Sequence, residues 1–246
     1  MSAARDTVLG KPELLELLLI HLPMRDLLVT SPLVSKTWQV LTLTPAIQRA
    51  LFFEPDPFSG PRKNPLLVEL FPPFFVPEGP SPSGLSWPGT TASIKSMPWS
   101  KAPDAFKREE TSWQRMLVTQ PPAQSIMIKD IRIGWCSTTR CAVLNNLSLR
   151  MSLMYDLVAW SIDSCEETAF YIRWSTPHSE NDLQCDLTLG IKIFEEDDRA
   201  LWRFLRSGTK DEWLQMKRAR RIDKRFYSEA WKKVEIDFGE AVFSRE

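Results

Sequence analysis

Twelve of the nineteen prolines in this chain fall between residues 55 and 103. Proline lacks a backbone N–H and fixes φ, so neither a long helix nor a central strand survives at that density. The chain is therefore expected to fold as a short unit before this stretch and a larger one after it. The proline-rich segment is more than a tether, because Leu66-Leu67-Val68, Leu70-Phe71 and Phe74-Phe75-Val76 are strongly apolar. Residues 65–76 read as an ordered, packed arm and residues 77–103 as a poorly ordered loop.

The first unit reads as helical. Pro12 suits a helix start, where its missing N–H costs nothing, and Glu13 to Leu22 (ELLELLLIHL) runs on until Pro23. Met24 to Val29 makes a second short helix, which Ser31-Pro32 breaks. Leu33 to Leu43 makes a third, with Val34, Trp38 and Leu41 at helical spacing. Thr44 as N-cap and Pro45 at the first helical position start a last turn carrying Ile47 and Leu51.

The helix after Pro12 is apolar nearly all round. Leu14, Leu18 and Leu22 share one face, Leu15 and Leu19 flank it, and Leu17 and Ile20 cover most of the rest. A surface helix shows one apolar stripe, whereas this pattern demands burial on several sides. A unit this small buries only a limited core unaided. Something outside it must cover part of this helix, and either the C-terminal domain or a partner protein would serve.

Val8-Leu9, Pro12-Glu13-Leu14-Leu15, Leu22-Pro23, Asp26-Leu27-Leu28, Val34-Ser35 and Trp38-Gln39-Val40-Leu41 together resemble the F-box motif over residues 8–50. Lys11 stands where that family usually has Leu, which removes one apolar contact. Ala50 to Phe53, Asn64 to Leu67 with Phe71-Pro72, and Ser112 to Leu117 with Gln120-Pro121-Pro122 are similar to segments of F-box proteins from filamentous fungi. The resemblance implies three short helices docking on a Skp-type adaptor, and through it on a cullin–RING core. It implies a non-catalytic role: the substrate-recognition subunit of an SCF-type ubiquitin ligase, holding an unknown protein substrate near the conjugating enzyme. By the same resemblance the adaptor-binding residues are Pro12, Leu14, Leu15, Leu18, Leu22, Pro23, Leu27, Leu28, Val34 and Trp38. Some of these must instead form the module's own core, and for Trp38 both roles stand open.

From about residue 111 a second domain begins. Thr111 to Leu117 reads as a capped short helix, and Ile126 to Ile133 alternates like a strand. Leu147 to Leu153 alternates too, then turns helical from Met154 to Ile162. Thr168 to Trp174, Leu183 to Phe194 and Val234 to Phe238 complete the strands. The expected fold class is α+β, with an all-helical unit over 8–50, a partly ordered proline-rich connector over 51–110, and a C-terminal α+β domain over 111–246 that presents the substrate. No repeat of the propeller or leucine-rich type occurs.

Other chemistries find little support. Cys136, Cys141, Cys165 and Cys185 lack the paired spacing of zinc sites, and two histidines, His21 and His178, leave little for a catalytic triad. No G-x-S-x-G, P-loop or dinucleotide fingerprint is present, so neither an enzyme nor a cofactor is expected. The acidic run 195–198 reads as a solvated turn or helix start. Net charge is zero, which argues against nucleic acid and anionic membranes as partners. With no secretory signal, no long apolar run and no disulfide framework, a cytoplasmic or nuclear location is expected.

One basic segment, Lys217 to Arg225, stands out. Arg218, Arg220, Arg221 and Arg225 could bind an anionic ligand or degron, although Asp211, Glu212, Asp223 and Glu229 balance them as on a solvated helix face. Two alternatives to the ligase reading follow: a non-degradative F-box scaffold, or a nucleic-acid-binding factor using residues 217–225.

Overall fold

The computed structural model describes residues 11–76, 79–81, 84–97, 108, 111–133, 137–145, 148–164, 167–174, 185–194 and 242–244. These form an α+β molecule, helical at the N-terminus and built around a mixed sheet beyond it. The expected strand over 234–238 lies outside the described residues.

The helical part contains α1 (Pro12–Leu19), a π-helical turn (Asp26–Thr30), α2 (Ser31–Val34), α3 (Lys36–Leu41) and α4 (Pro45–Ala50). α1 ends at Leu19, short of the expected Leu22: His21 and Leu22 donate to the Leu18 and Leu19 carbonyls in a tighter turn that closes the helix before Pro23. Ser31-Pro32 does not break the second helix as the sequence suggests. Pro32 occupies the first turn of α2, where no N–H is needed, and the Ser31 hydroxyl donates to the Asp26 carbonyl at 3.2 Å. The break falls instead at Ser35, whose φ of −162° and ψ of 165° are extended and whose Oγ accepts from the Trp38 N–H.

α4 ends without a glycine. Phe52 takes the left-handed backbone (φ 62°), the Phe53 N–H reaches the Gln48 carbonyl at 2.9 Å, and the Phe52 N–H reaches that of Arg49 at 3.0 Å. This is the Schellman pattern, in which glycine is the usual residue. A left-handed residue with a side chain costs about 1–2 kcal/mol. Burying the Phe52 ring beneath the Arg62 guanidinium, 5.0 Å from its centroid, offsets that cost.

The connector is more ordered than its prolines suggest. Asn64 caps α5 (Pro65–Leu70), a 3₁₀ turn (Pro72–Phe74) follows, and β1 (Arg62–Lys63) pairs with β5 (Thr119–Gln120). Residues expected as loop form the hairpin β2 (Gly79–Ser81) and β3 (Gly84–Ser86), then β4 (Gly89–Thr90) and α6 (Thr91–Lys95). A capping box between Thr90 and Ser93 starts α6, and Ile94 and Met97 are buried.

After α7 (Ser112–Arg115) come β6 (Ile126–Ile133), β7 (Ser137–Leu144), α8 (Met151–Ser164), β8 (Glu167–Trp174), β9 (Leu187–Phe194) and β10 (Val242–Ser244). The sheet order is β10-β7-β6-β9-β8-β4; β6 and β9 run parallel and the other neighbours antiparallel. β6 and β9 are central, and the alternating apolar run Ile126, Ile128, Leu187, Leu189, Ile191 and Ile193 enters the core. β7 (STTRCAVL) has no such run, and its strand comes from pairing along β6. The strand expected over 147–153 is absent. Leu149 and Arg150 make one turn of extended chain, and from Met151 the buried positions Met154, Tyr155 and Val158 follow helical spacing.

The arm packs on the C-terminal domain. Phe71 lies 5.1 Å from Trp113, Phe74 lies 5.0 Å from Phe170, and Tyr155 of α8 touches both phenylalanines at 6.0 Å. Sheet, α8 and arm thus share one core.

Two glycines are set by aromatic rings from the neighbouring strand. A Cβ on Gly190 would sit 2.0 Å from the Tyr171 ring, its cross-strand partner, and one on Gly89 would sit 2.1 Å from the Phe170 ring. Gly190→Ala should therefore destabilise the protein by about 1–3 kcal/mol in urea denaturation, while Gly60→Ala, in open space, should change it by less than about 0.5 kcal/mol.

Burial pushes the half-buried Asp156 carboxyl up to about 7. The folded state then holds a proton that the unfolded chain releases near pH 4, so stability falls as pH rises from about 4 to 7. Asp156→Asn mimics the protonated acid. It should match the wild type near pH 4 and exceed it at pH 8 by on the order of 1–3 kcal/mol, read from denaturation curves at both pH values.

Candidate functional site

The helical unit closes its own core with few residues. Leu15 and Leu19, one turn apart on α1, are each 1% exposed and pack with Leu27, Leu41, Ile47 and Leu51. Leu28 and Trp38 are half-buried against this cluster. Of the residues singled out for adaptor binding, Leu15 and Leu27 are therefore internal and unavailable to a partner. Pro12, Leu14, Leu18, Leu22, Pro23 and Val34 lie at the surface.

The other side of α1 is open. Leu14, Leu17 and Leu18 are 40%, 60% and 53% exposed, and Leu22 follows just past the helix end. Leu33, at 81%, and Val29, Val34, Val40 and Leu43 extend the exposed apolar set through the π turn, α2 and α3. The described residues of the C-terminal domain leave these side chains exposed. Large apolar residues exposed at this density within one short segment are the kind of feature that interaction surfaces carry. Leu17, Val29, Leu33, Val40 and Leu43 were not singled out in the sequence, where nothing separates an outward leucine from an inward one on a helix apolar all round. The charges around the face are of both signs (Lys11, Glu13, Glu16, Arg25, Asp26 and Lys36) and impose no single field.

This face is held on the rest of the molecule by a seam of buried amides. Gln120 donates Nε2 to the carbonyls of Arg49 (2.8 Å) and Glu54 (3.0 Å), and its Oε1 accepts from Arg62 at 2.8 Å. It thereby adds a second donor to the Arg49 carbonyl, which already accepts from Phe52, and gives the Glu54 carbonyl beyond the helix end a partner. Asn64 accepts from the N–H groups of Leu66 and Leu67 and donates to the Leu117 carbonyl at 3.1 Å, while its own N–H donates to Val118. The Leu117 N–H donates to the Phe52 carbonyl at 2.8 Å. Thus the three short segments around residues 50–53, 64–72 and 112–122 meet at one place. The Arg25–Glu69 pair (3.3 Å) also crosses the seam, but both side chains are exposed and the pair adds little.

Among the described residues no group of three or more His, Cys, Asp or Glu side chains is placed to hold a metal ion. Cys141 is exposed, and Cys185 is buried with its thiol pushed up mainly by that burial. Among those residues, too, no helix is long and apolar enough to cross a membrane. Cys136, Cys165, His178, the acidic run 195–198 and the basic segment 217–225, with Arg218, Arg220, Arg221 and Arg225, lie outside the described residues. Comparison with protein-family models, curated proteins and solved structures finds no match.

Replacing Gln120 by Leu keeps the volume but takes the partner from the Glu54 carbonyl, the second donor from the Arg49 carbonyl and an acceptor from the exposed Arg62. The variant should lose about 1–3 kcal/mol in chemical denaturation, the cost of one buried group left without its partner. Hydrogen exchange should rise first in α4.

Proposed function

We propose that this chain is an F-box-type adaptor subunit that docks its N-terminal helices on a Skp-type partner and presents a substrate through its C-terminal domain. The observation that carries this reading is the exposed apolar set on α1, α2 and α3, beside a core made only from the inward residues. The resemblance over residues 8–50 gives the partner its identity. The function is non-catalytic: tethering raises the effective concentration of a substrate lysine at the ubiquitin thioester, and a proximity role needs no reactive side chain on this chain. The seam supports the same reading, because a fixed junction would hold the substrate-presenting domain at a set position relative to the docked helices.

On this reading the contact residues are Leu14, Leu17, Leu18, Leu22, Leu33 and Val34, with Pro12 and Pro23 shaping the ends of the first helix and Leu28 and Trp38 contributing their exposed edges. Leu15 and Leu27 act from within by keeping the helices in register.

Co-expression with a Skp-type adaptor, followed by size-exclusion chromatography, tests the proposal. The wild type should co-elute with the adaptor in a stoichiometric complex. A Leu14→Asp/Leu18→Asp variant, altered at exposed positions only, should keep its circular dichroism and lose at least about 100-fold in affinity, since each buried leucine contributes roughly 1.5–3 kcal/mol. A folded wild type that ignores the adaptor, or a variant that still binds it, would overturn the reading.

A further inference from the structure

Two guanidinium groups converge on one residue of the seam. Arg115, exposed at the end of α7, lies with Cζ 5.1 Å from the centre of the Phe53 ring. Arg150, half-buried between β7 and α8, donates Nη1 to the Phe53 carbonyl at 3.4 Å and to the Arg115 carbonyl. Its backbone is pinned on both sides. Leu149 donates to the Ala123 carbonyl at 3.1 Å, Met151 donates to that of Met116 at 3.0 Å, and Arg150 itself bridges Leu117.

The Arg150 cation is therefore held by neutral carbonyls. Among the described residues neither arginine pairs with a carboxylate, and the first turn of α8 carries no acidic residue. Burial, and then the neighbouring Arg115 charge, push the Arg150 guanidinium below its ordinary range. A half-buried cation beside a like charge is destabilising by itself and is relieved by an anion between the two. Arg150 uses Nη1 for the carbonyls, and its Nε and Nη2 edges make no hydrogen bond to the described residues.

We propose that Arg115 and Arg150 form a binding site for a phosphoryl group at the junction of the helical unit and the C-terminal domain. Two planar forks match the several oxygens of phosphate, and its charge of about −1.5 to −2 at neutral pH offsets both cations, whereas a carboxylate brings one charge. The exposed Arg115 gives entry from solvent, and Phe53 forms the apolar floor beneath it. This site stands independently of the docking face and uses none of its residues.

Isothermal titration calorimetry of the full chain with inorganic phosphate tests it, with sodium acetate and sodium chloride at matched ionic strength as controls. The wild type should bind phosphate saturably. Arg115→Gln should raise Kd by about ten-fold or more, since one charge-assisted contact is lost, and Arg115→Lys, keeping the charge without the fork, should fall between. O-phosphoserine titrated in parallel separates two sources: tighter binding than inorganic phosphate assigns the site to a phosphorylated side chain, and equal or weaker binding to the free ion. Circular dichroism verifies that each variant is folded, and if Arg115→Gln is not, Arg115→Lys carries the comparison. Absence of saturable binding, unchanged affinity in the folded Arg115 variants, or acetate binding as tight as phosphate would each overturn the proposal.

Discussion

Gln120 and Asn64 are buried side-chain amides whose hydrogen bonds run in two directions across one seam, and the arrangement of the molecule depends on them. Gln120, from β5 at the start of the C-terminal domain, donates to the Arg49 carbonyl of α4 and to the Glu54 carbonyl just past it. Asn64 caps α5 with its oxygen and grips the Leu117 carbonyl with its nitrogen. An unpaired amide in such a place costs far more than a made bond contributes, so the seam assembles as a set or fails as one. Phe52 in its left-handed conformation belongs to the same set: its carbonyl and its ring are both engaged, which holds a backbone that a lone phenylalanine would leave.

With the seam in place, the helical unit needs to bury only one side. Its core of Leu15, Leu19, Leu27, Leu41, Ile47 and Leu51 is small, and the rest of its stability comes from attachment to the larger domain. That division frees the outward leucines from a structural duty. Large apolar side chains kept in water without a packing role lower solubility.

The connector shows how proline density misleads. Each proline in residues 65–76 sits where it costs little: Pro65 at the start of α5, and Pro72 and Pro73 in a 3₁₀ turn. Between them Leu66, Leu67, Phe71 and Phe74 fill the space against α8 and the sheet. Farther on, Gly89 lets β4 pass beneath the Phe170 ring as an edge strand, a placement for which the local sequence carries no signal.

Local chemistry determined a good part of this protein. The apolar repeat after Pro12, the stop before Pro23 and the alternation of β6, β8 and β9 are all legible in the chain, because each depends on neighbours within a few residues. So is the packing of the arm, from the phenylalanines that no linker would carry. Other features were decided only by the tertiary structure: which leucines of α1 point inward, the strand β7, the helix starting at Met151, and the approach of Arg115 to the Phe53 ring and of Arg150 to its carbonyl. The physical reason is common to them. An apolar helix is degenerate until something packs on one side, and a weakly apolar strand forms because a neighbour offers it hydrogen bonds. Charges far apart in sequence become neighbours only when the fold has brought them to one place.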